Sequence, residues 1–296
     1  MTTGEYIDPF GGIADIKNGI LRITCKEHFA EDPLRILRAF RFKVLTNYTI
    51  EKETDIILRD MIASRELVYL SKERILDELT KGLKLNAGEY IELLYEYGAL
   101  QYLLPEVAVL FTVPEKSKFH STGNTWLHTK AALNTLDKMY DNVPVELIFG
   151  VLFHDIYKGI SQKHNYSRQK GDKYIRHDSF EAITYFNTIA DRLGLSNTIK
   201  SICTKIIANH MRVWSGFGTG IKMNTWYKCL NSISYKFSKD MSDKADIILN
   251  ACIADHISDH VGADSRDGII LKKLFNKSLE ICNSIKSTEI PGFDKA

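Results

Sequence analysis

Glu31-Asp32-Pro33-Leu34-Arg35-Ile36-Leu37-Arg38 sets a carboxylate and two guanidinium groups at i, i+3 and i+6 on a segment that reads as helix. Pro33 suits a first turn, where a missing N–H costs little, and Glu31 and Asp32 lie at the positive end of the helix dipole. Leu34, Leu37, Phe40 and Val44 recur at helical spacing and form a core-facing stripe, leaving Asp32, Arg35 and Arg38 on another face. An Asp and an Arg three residues apart can offer acceptor and donor to a base edge, and an Arg one turn on can hold a phosphate. The same spacing also makes an ordinary surface salt bridge, so alone it does not establish a nucleotide site.

Upstream, Tyr6-Ile7-Asp8-Pro9-Phe10-Gly11-Gly12 leads into Ile13-Ala14-Asp15-Ile16, then Lys17-Asn18-Gly19, then Ile20-Leu21-Arg22-Ile23. Two short apolar runs around Asn-Gly predict a β-hairpin feeding the helix. "YIDPFGGIADIKNGILRI" followed by "FAEDPLRILRAFRF" resembles the bacterial tRNA nucleotidyltransferase family, the CCA-adding and poly(A) polymerase-like enzymes. In that family the Asp and Arg of a Glu-Asp-x-x-Arg motif form a protein template for incoming CTP or ATP, and a second Arg contacts the nucleotide. The resemblance therefore implies nucleotide-binding roles for Asp32, Arg35 and Arg38.

Family members also carry a nucleotidyltransferase head with a Gly-Gly phosphate turn and an Asp-x-Asp pair, because two carboxylates hold the metals that activate the attacking 3′-hydroxyl. No Asp-x-Asp occurs in these residues; Asp240/Asp243, Asp243/Asp246 and Asp264/Asp267 have the wrong spacing. Gly11-Gly12 belongs to the expected hairpin. The expectation is thus residues 1–27 as the last hairpin of an incomplete head, with a separately encoded head needed for nucleotide transfer.

Of the 296 residues, 44% are hydrophobic and 26% charged, enough to bury a substantial core and unlike a disordered chain. A net charge of +2 is too mild to imply nucleic-acid binding by bulk charge, so RNA contacts must come from local patches. Lys163, His164, Tyr166, Arg168, Lys170, Lys173 and Arg176 form one basic stretch, readable as a phosphate-tracking segment or as a solvated loop. Cys25, Cys203, Cys229, Cys252 and Cys282 lack metal or disulfide-framework spacing, which reads as reduced thiols and a cytoplasmic setting. No signal peptide or spanning apolar run is read, so no membrane partner is expected.

After the motif helix, helical periodicity runs over residues 50–62 and from Ser71, a candidate N-cap, and again from Tyr90 to a break at Leu104-Pro105. Residues 28–111 resemble the family's helical neck, and 112–125, rich in Pro, Ser, Thr, Gly and Asn, read as a linker. The fold class expected is mainly α: a hairpin remnant, a helical neck and body, and an all-α domain over 126–296.

That last region carries a second chemistry. His128 opens a helical segment, His154-Asp155 closes the apolar run 147–153, and Asp255 ends another, 248–254. A carboxylate beside a buried apolar helix needs a cation or hydrogen bonds, and imidazole with carboxylate suits a divalent ion able to assist hydrolysis. Satisfied core and cap residues are the competing reading. The ordered His…His-Asp…Asp pattern resembles the HD phosphohydrolase domain that many bacterial tRNA nucleotidyltransferases carry after the neck. This implies His128, His154, Asp155 and Asp255 as ligands of a divalent metal (Mg, Mn, Ni or Co), with Lys158, His177 and His210 as candidate catalytic groups near a phosphate.

Three functions follow as expectations. The first is the C-terminal portion of a CCA-adding-type enzyme acting at tRNA or RNA 3′ ends with CTP and ATP. The second is an independent HD phosphohydrolase on 2′,3′-cyclic phosphates or 2′-phosphates of nucleotides and RNA. The third is an RNA-binding body without chemistry.

Overall fold

The computed structural model describes residues 7–115, 123–165, 178–218 and 241–259, and they are predominantly helical. The chain divides into two compact units, Met1–Pro105 and Glu106–Ala296.

The first unit opens with helix α1, Gly12–Asn18. This corrects the expected hairpin. Asp8 accepts from the Gly12 and Ile13 N–H groups at 2.7 and 2.9 Å, satisfying two donors that a helix start leaves unpaired. Asn18-Gly19, read as a hairpin turn, is instead the stop of this helix. Gly19 sits in the left-handed region at φ 64°, where it returns its N–H to the last turn. Strand β1, Ile20–Leu21, pairs in parallel with β2, Thr49–Ile50, rather than with residues 13–16. An Asn-Gly pair serves either ending, and here the extended partner comes from beyond the motif helix.

Helix α2, Lys26–Phe29, precedes the motif helix α3, Leu34–Thr46, whose Leu34, Ile36, Leu37 and Phe40 are buried. Helix α4, Lys52–Ala63, is capped by Glu51, which accepts from Thr54 N at 2.8 Å. Ser71 accepts from Arg74 N and caps α5, Lys72–Glu96, the main packing partner of α3. The buried Glu78 of α5 accepts from Arg41 of α3 at 2.9 Å.

Helix α5 breaks at Asn86, whose extended backbone and side chain restart the helix by accepting from Glu89 N at 2.9 Å. The break lays the Tyr90 ring against the bare Cα of Gly82, and the Tyr90 hydroxyl donates to the Leu37 carbonyl at 3.2 Å. Short helix α6, Leu100–Leu103, follows. Pro105 ends that stretch and opens α7, Pro105–Leu110, where its lost N–H costs nothing.

In the second unit, β3, Pro114–Glu115, pairs antiparallel with β4, Gly123–Asn124, inside the segment read as linker. Asn124 caps α8, Thr125–Met139, accepting from Leu127 N at 2.9 Å. Helix α9, Val145–Phe153, is buried from Leu147 to Phe153, as its unbroken apolar run requires. Around it lie α10, Lys158–Asn165; α11, Phe180–Leu193; α12, Asn197–Gly218; and α13, Met241–Asp259. Helix α12 packs on α9 and α13, and α13 on α8. Gly150 leaves room on α9 for α12: an added Cβ would collide with the end of Ile206. Among the described residues no helix is long and apolar enough to cross a membrane.

Candidate functional site

The first site lies within the first unit. Arg22, Ile23, Cys25, His28, Phe29, Asp32, Arg35 and Arg38 line, among others, a cavity of about 790 Å³, a size that accommodates a nucleotide. Asp32, Arg35 and Arg38, the three residues drawn from the octet, share this cavity. Asp32 is held at both oxygens: Oδ1 accepts from Leu34 N at 3.1 Å, and Oδ2 from the Arg74 guanidinium at 2.8 Å. Arg35 donates to the His28 carbonyl and lies over the Phe29 ring at 5.9 Å. Arg38 is exposed. The floor is fixed by Ile23, whose N–H donates to the buried Thr54 hydroxyl at 3.1 Å. Sequence reasoning missed Arg74, forty-two positions from its partner; the only signal for it was a basic residue in the first turn of a capped helix.

The second site lies within the second unit, where α8, α9 and α13 converge. His128 comes from the first turn of α8, His154 follows the last residue of α9, and Asp255 comes from α13. Their Nε2, Nε2 and Oδ1 atoms meet: His128 to Asp255 is 2.9 Å, His154 to Asp255 is 3.1 Å, and the two imidazole nitrogens are 3.2 Å apart. Asp155 Oδ2 stands 3.1 Å from His154 Nε2 and 3.5 Å from His128 Nε2. All four residues are buried.

Protonation follows from the partners. His154 Nδ1 donates to the Val151 carbonyl at 2.7 Å, one of those left over at the end of α9, so a neutral His154 ring presents Nε2 as a lone pair. Two imidazole lone pairs at 3.2 Å beside buried carboxylates repel unless a proton or cation lies between them. Burial works against a charged His154, but Asp155 and Asp255 outweigh it and hold its pKa well above the ordinary imidazole range. Burial likewise works against a charged Asp255, and His154 and His128 override it and hold the carboxyl well below the usual range. Two imidazoles and a carboxylate whose ligand atoms all lie within 4.8 Å, with positive charge stabilised between them, fit a divalent ion.

His210, on α12, turns its Nδ1 to the Ile206 and Ile207 carbonyls and sets Nε2 3.7 Å from Asp155 Oδ1. Lys158 is 5% exposed, and its ammonium lies between Asp155 and Glu115, 2.6 Å from each. Burial acts against that charge, yet the two carboxylates raise its pKa. Glu115 had no sequence signal, lying in the segment read as linker. His177 lies outside the described residues, as do the side chains of the basic stretch 163–176.

The family described as the probable RNA and SrmB-binding site of polymerase A matches residues 47–111. A multifunctional CCA protein of Vibrio parahaemolyticus is 31% identical over 259 residues, 86% of this chain and 60% of that protein. One from Neisseria gonorrhoeae is 42% identical over 156 residues, 52% of this chain and 37% of that protein. The chain thus spans 60% or less of the length of these relatives. Among solved structures, a CCA-adding enzyme with ATP shares the fold at TM-score 0.55 and 18% identity, over 97% of this chain and 55% of that one. The Thermotoga maritima CCA-adding enzyme complexed with tRNA does so at TM-score 0.55 and 16% identity, over 93% and 54%. Matching relatives and a shared helical fold lead to one assignment: the chain belongs to the tRNA nucleotidyltransferase family.

Proposed function

We propose that this chain supplies the nucleotide-selecting and tRNA-holding part of a CCA-adding-type enzyme in tRNA 3′-end processing, working with a nucleotidyltransferase head that performs the transfer. The observation that carries this is the cavity shared by Asp32, Arg35 and Arg38. Asp32 offers acceptors and Arg35 donors to the Watson–Crick edge of CTP or ATP, and Arg38 takes a phosphate. The matched region 47–111 and the tRNA-bound Thermotoga maritima relative support a tRNA grip along the neck. Helix α1 supports a protein partner: none of its residues is buried, and Phe10, Ile13 and Ile16 are exposed beside Ile7. The head would supply the carboxylates for the metals of nucleotidyl transfer. The test is reconstitution: the chain mixed with a family head fragment should bind it and add C and A to tRNA lacking its 3′ end. Failure both to bind the head and to add nucleotides would refute this reading.

A second activity is favoured by the buried cluster. His128, His154, Asp155 and Asp255, in an HD-type domain over 126–296, would hold a divalent ion. Such an ion, when bound, polarises a phosphate oxygen and brings the pKa of water toward neutrality. His154 is aligned by Val151, and His210, fixed by its α12 carbonyls, is placed to hold or pass a proton beside Asp155. The substrate class is 2′,3′-cyclic phosphates or 2′-phosphates of nucleotides and RNA ends. Hydrolysis of 2′,3′-cyclic AMP with added divalent metal, lost in Asp155→Ala, is the expected result; equal rates for both proteins would exclude this activity. Stoichiometric metal in the purified chain separates this second reading from a binding body without chemistry. The free thiols of Cys25 and Cys203 fit a cytoplasmic setting.

A further inference from the structure

Lys158 Nζ stands on the same oxygen of Asp155, Oδ2, that faces the two imidazole nitrogens. A buried ammonium on that oxygen competes with any cation the imidazoles hold, because like charges repel strongly away from water. Glu115 offers the ammonium a second seat at 2.6 Å and is itself 2% exposed. The fold builds this seat. Pairing of β3 with β4, with Thr125 N donating to the Val113 carbonyl at 2.9 Å, fixes the backbone at 115. Gly159 lets the start of α10 close on Val109 and Val113, where a Cβ would stand 2.7 Å from the Val109 side chain.

We propose that Glu115 is a positioning residue of the metal centre: by sharing the Lys158 ammonium with the cluster-facing oxygen of Asp155, it weakens the hold of Lys158 on that oxygen and leaves it to a divalent cation. This rests on the metal-binding reading of His128, His154, Asp155 and Asp255. It gives Lys158 the role of resident counter-ion whose hold on Asp155 must loosen when the cation enters.

The test is calorimetric titration of the chelator-stripped full chain with Mn²⁺, with bound metal counted after dialysis and folding checked by circular dichroism. E115Q should bind Mn²⁺ at least about tenfold more weakly than the unmutated chain. K158M should bind at least as tightly, since it removes the competitor, and the double variant E115Q/K158M should recover to within about threefold of the unmutated chain. A folded E115Q with unchanged affinity would overturn the proposal, as would a double variant weaker than E115Q, the result of a merely structural role. If E115Q does not fold, K158M and the double variant decide: weakened Mn²⁺ binding in either one overturns it. An unmutated chain that takes up no Mn²⁺ removes the metal-site reading itself, a failure distinct from that of Glu115.

Discussion

Arg74, in the first turn of α5, donates to Asp32 Oδ2 at 2.8 Å while the Leu34 N–H occupies Oδ1 at 3.1 Å. Each carboxylate oxygen keeps a second acceptor site, so the Asp32 carboxylate is oriented without being used up. The pair is half open to water, with the two side chains 49% and 30% exposed. An ion pair this exposed contributes at most about 1 kcal/mol.

Arg74→Ala should therefore lower unfolding stability by less than about 1 kcal/mol, read by denaturant titration, while weakening CTP and ATP binding about tenfold. A large stability loss with intact nucleotide binding would make Arg74 a strut between α3 and α5.

Cys25 lines the Asp32 cavity and is exposed, whereas Cys203 and Cys252 are buried, with burial pushing the Cys203 thiol up in pKa. In the folded chain Cys25 should react with a thiol reagent, and Cys203 and Cys252 only on unfolding. Saturating CTP or ATP should slow Cys25 labelling, followed by peptide mass mapping. Labelling indifferent to both nucleotides would place their binding elsewhere.

Gly82→Ala should cost about 1–3 kcal/mol, because the added methyl drives into the Tyr90 ring, whose hydroxyl is tied to Leu37. Gly150→Val should cost at least as much by pushing α12 off α9 through Ile206. Chemical denaturation of each variant measures this, and an unchanged midpoint at either position would contradict the packing described.

The buried cluster gives a pH dependence of definite sign. The raised His154 pKa means that the metal-free chain gains stability from protonated His154 below the ordinary imidazole value of 6.5 and loses it as pH rises through the folded-state pKa. The lowered Asp255 pKa adds stability above the ordinary value of 3.8 and loses it as pH falls through its folded-state pKa. Under the proposed metal reading a divalent ion would replace the His154 proton, so the rise in Tm on adding Mn²⁺ should grow from about pH 6 to about pH 8. A shift that shrinks over that interval would contradict the proton–metal exchange.

The sequence carried the helical class because it is written in local spacing, as capped apolar stripes; Asp32, Arg35 and Arg38 share one cavity and His128, His154, Asp155 and Asp255 one cluster, groupings that the sequence offered through the family resemblance. It misled at residues 13–23, where Asn18-Gly19 serves a helix stop as readily as a hairpin turn and the choice was made by a strand pairing with Thr49–Ile50. Arg74 and Glu115 were invisible for a related reason. Each matters through a partner 42 or 43 positions away, a pairing that no local period encodes.

The central claim is that the Asp32 cavity reads the base of a nucleotide, and equilibrium binding of the four ribonucleoside triphosphates to the full chain tests it most directly. CTP and ATP should bind more tightly than UTP and GTP, and Asp32→Ala should erase that preference while leaving the fold intact. Equal affinity for all four nucleotides, or a preference that survives Asp32→Ala, would contradict it.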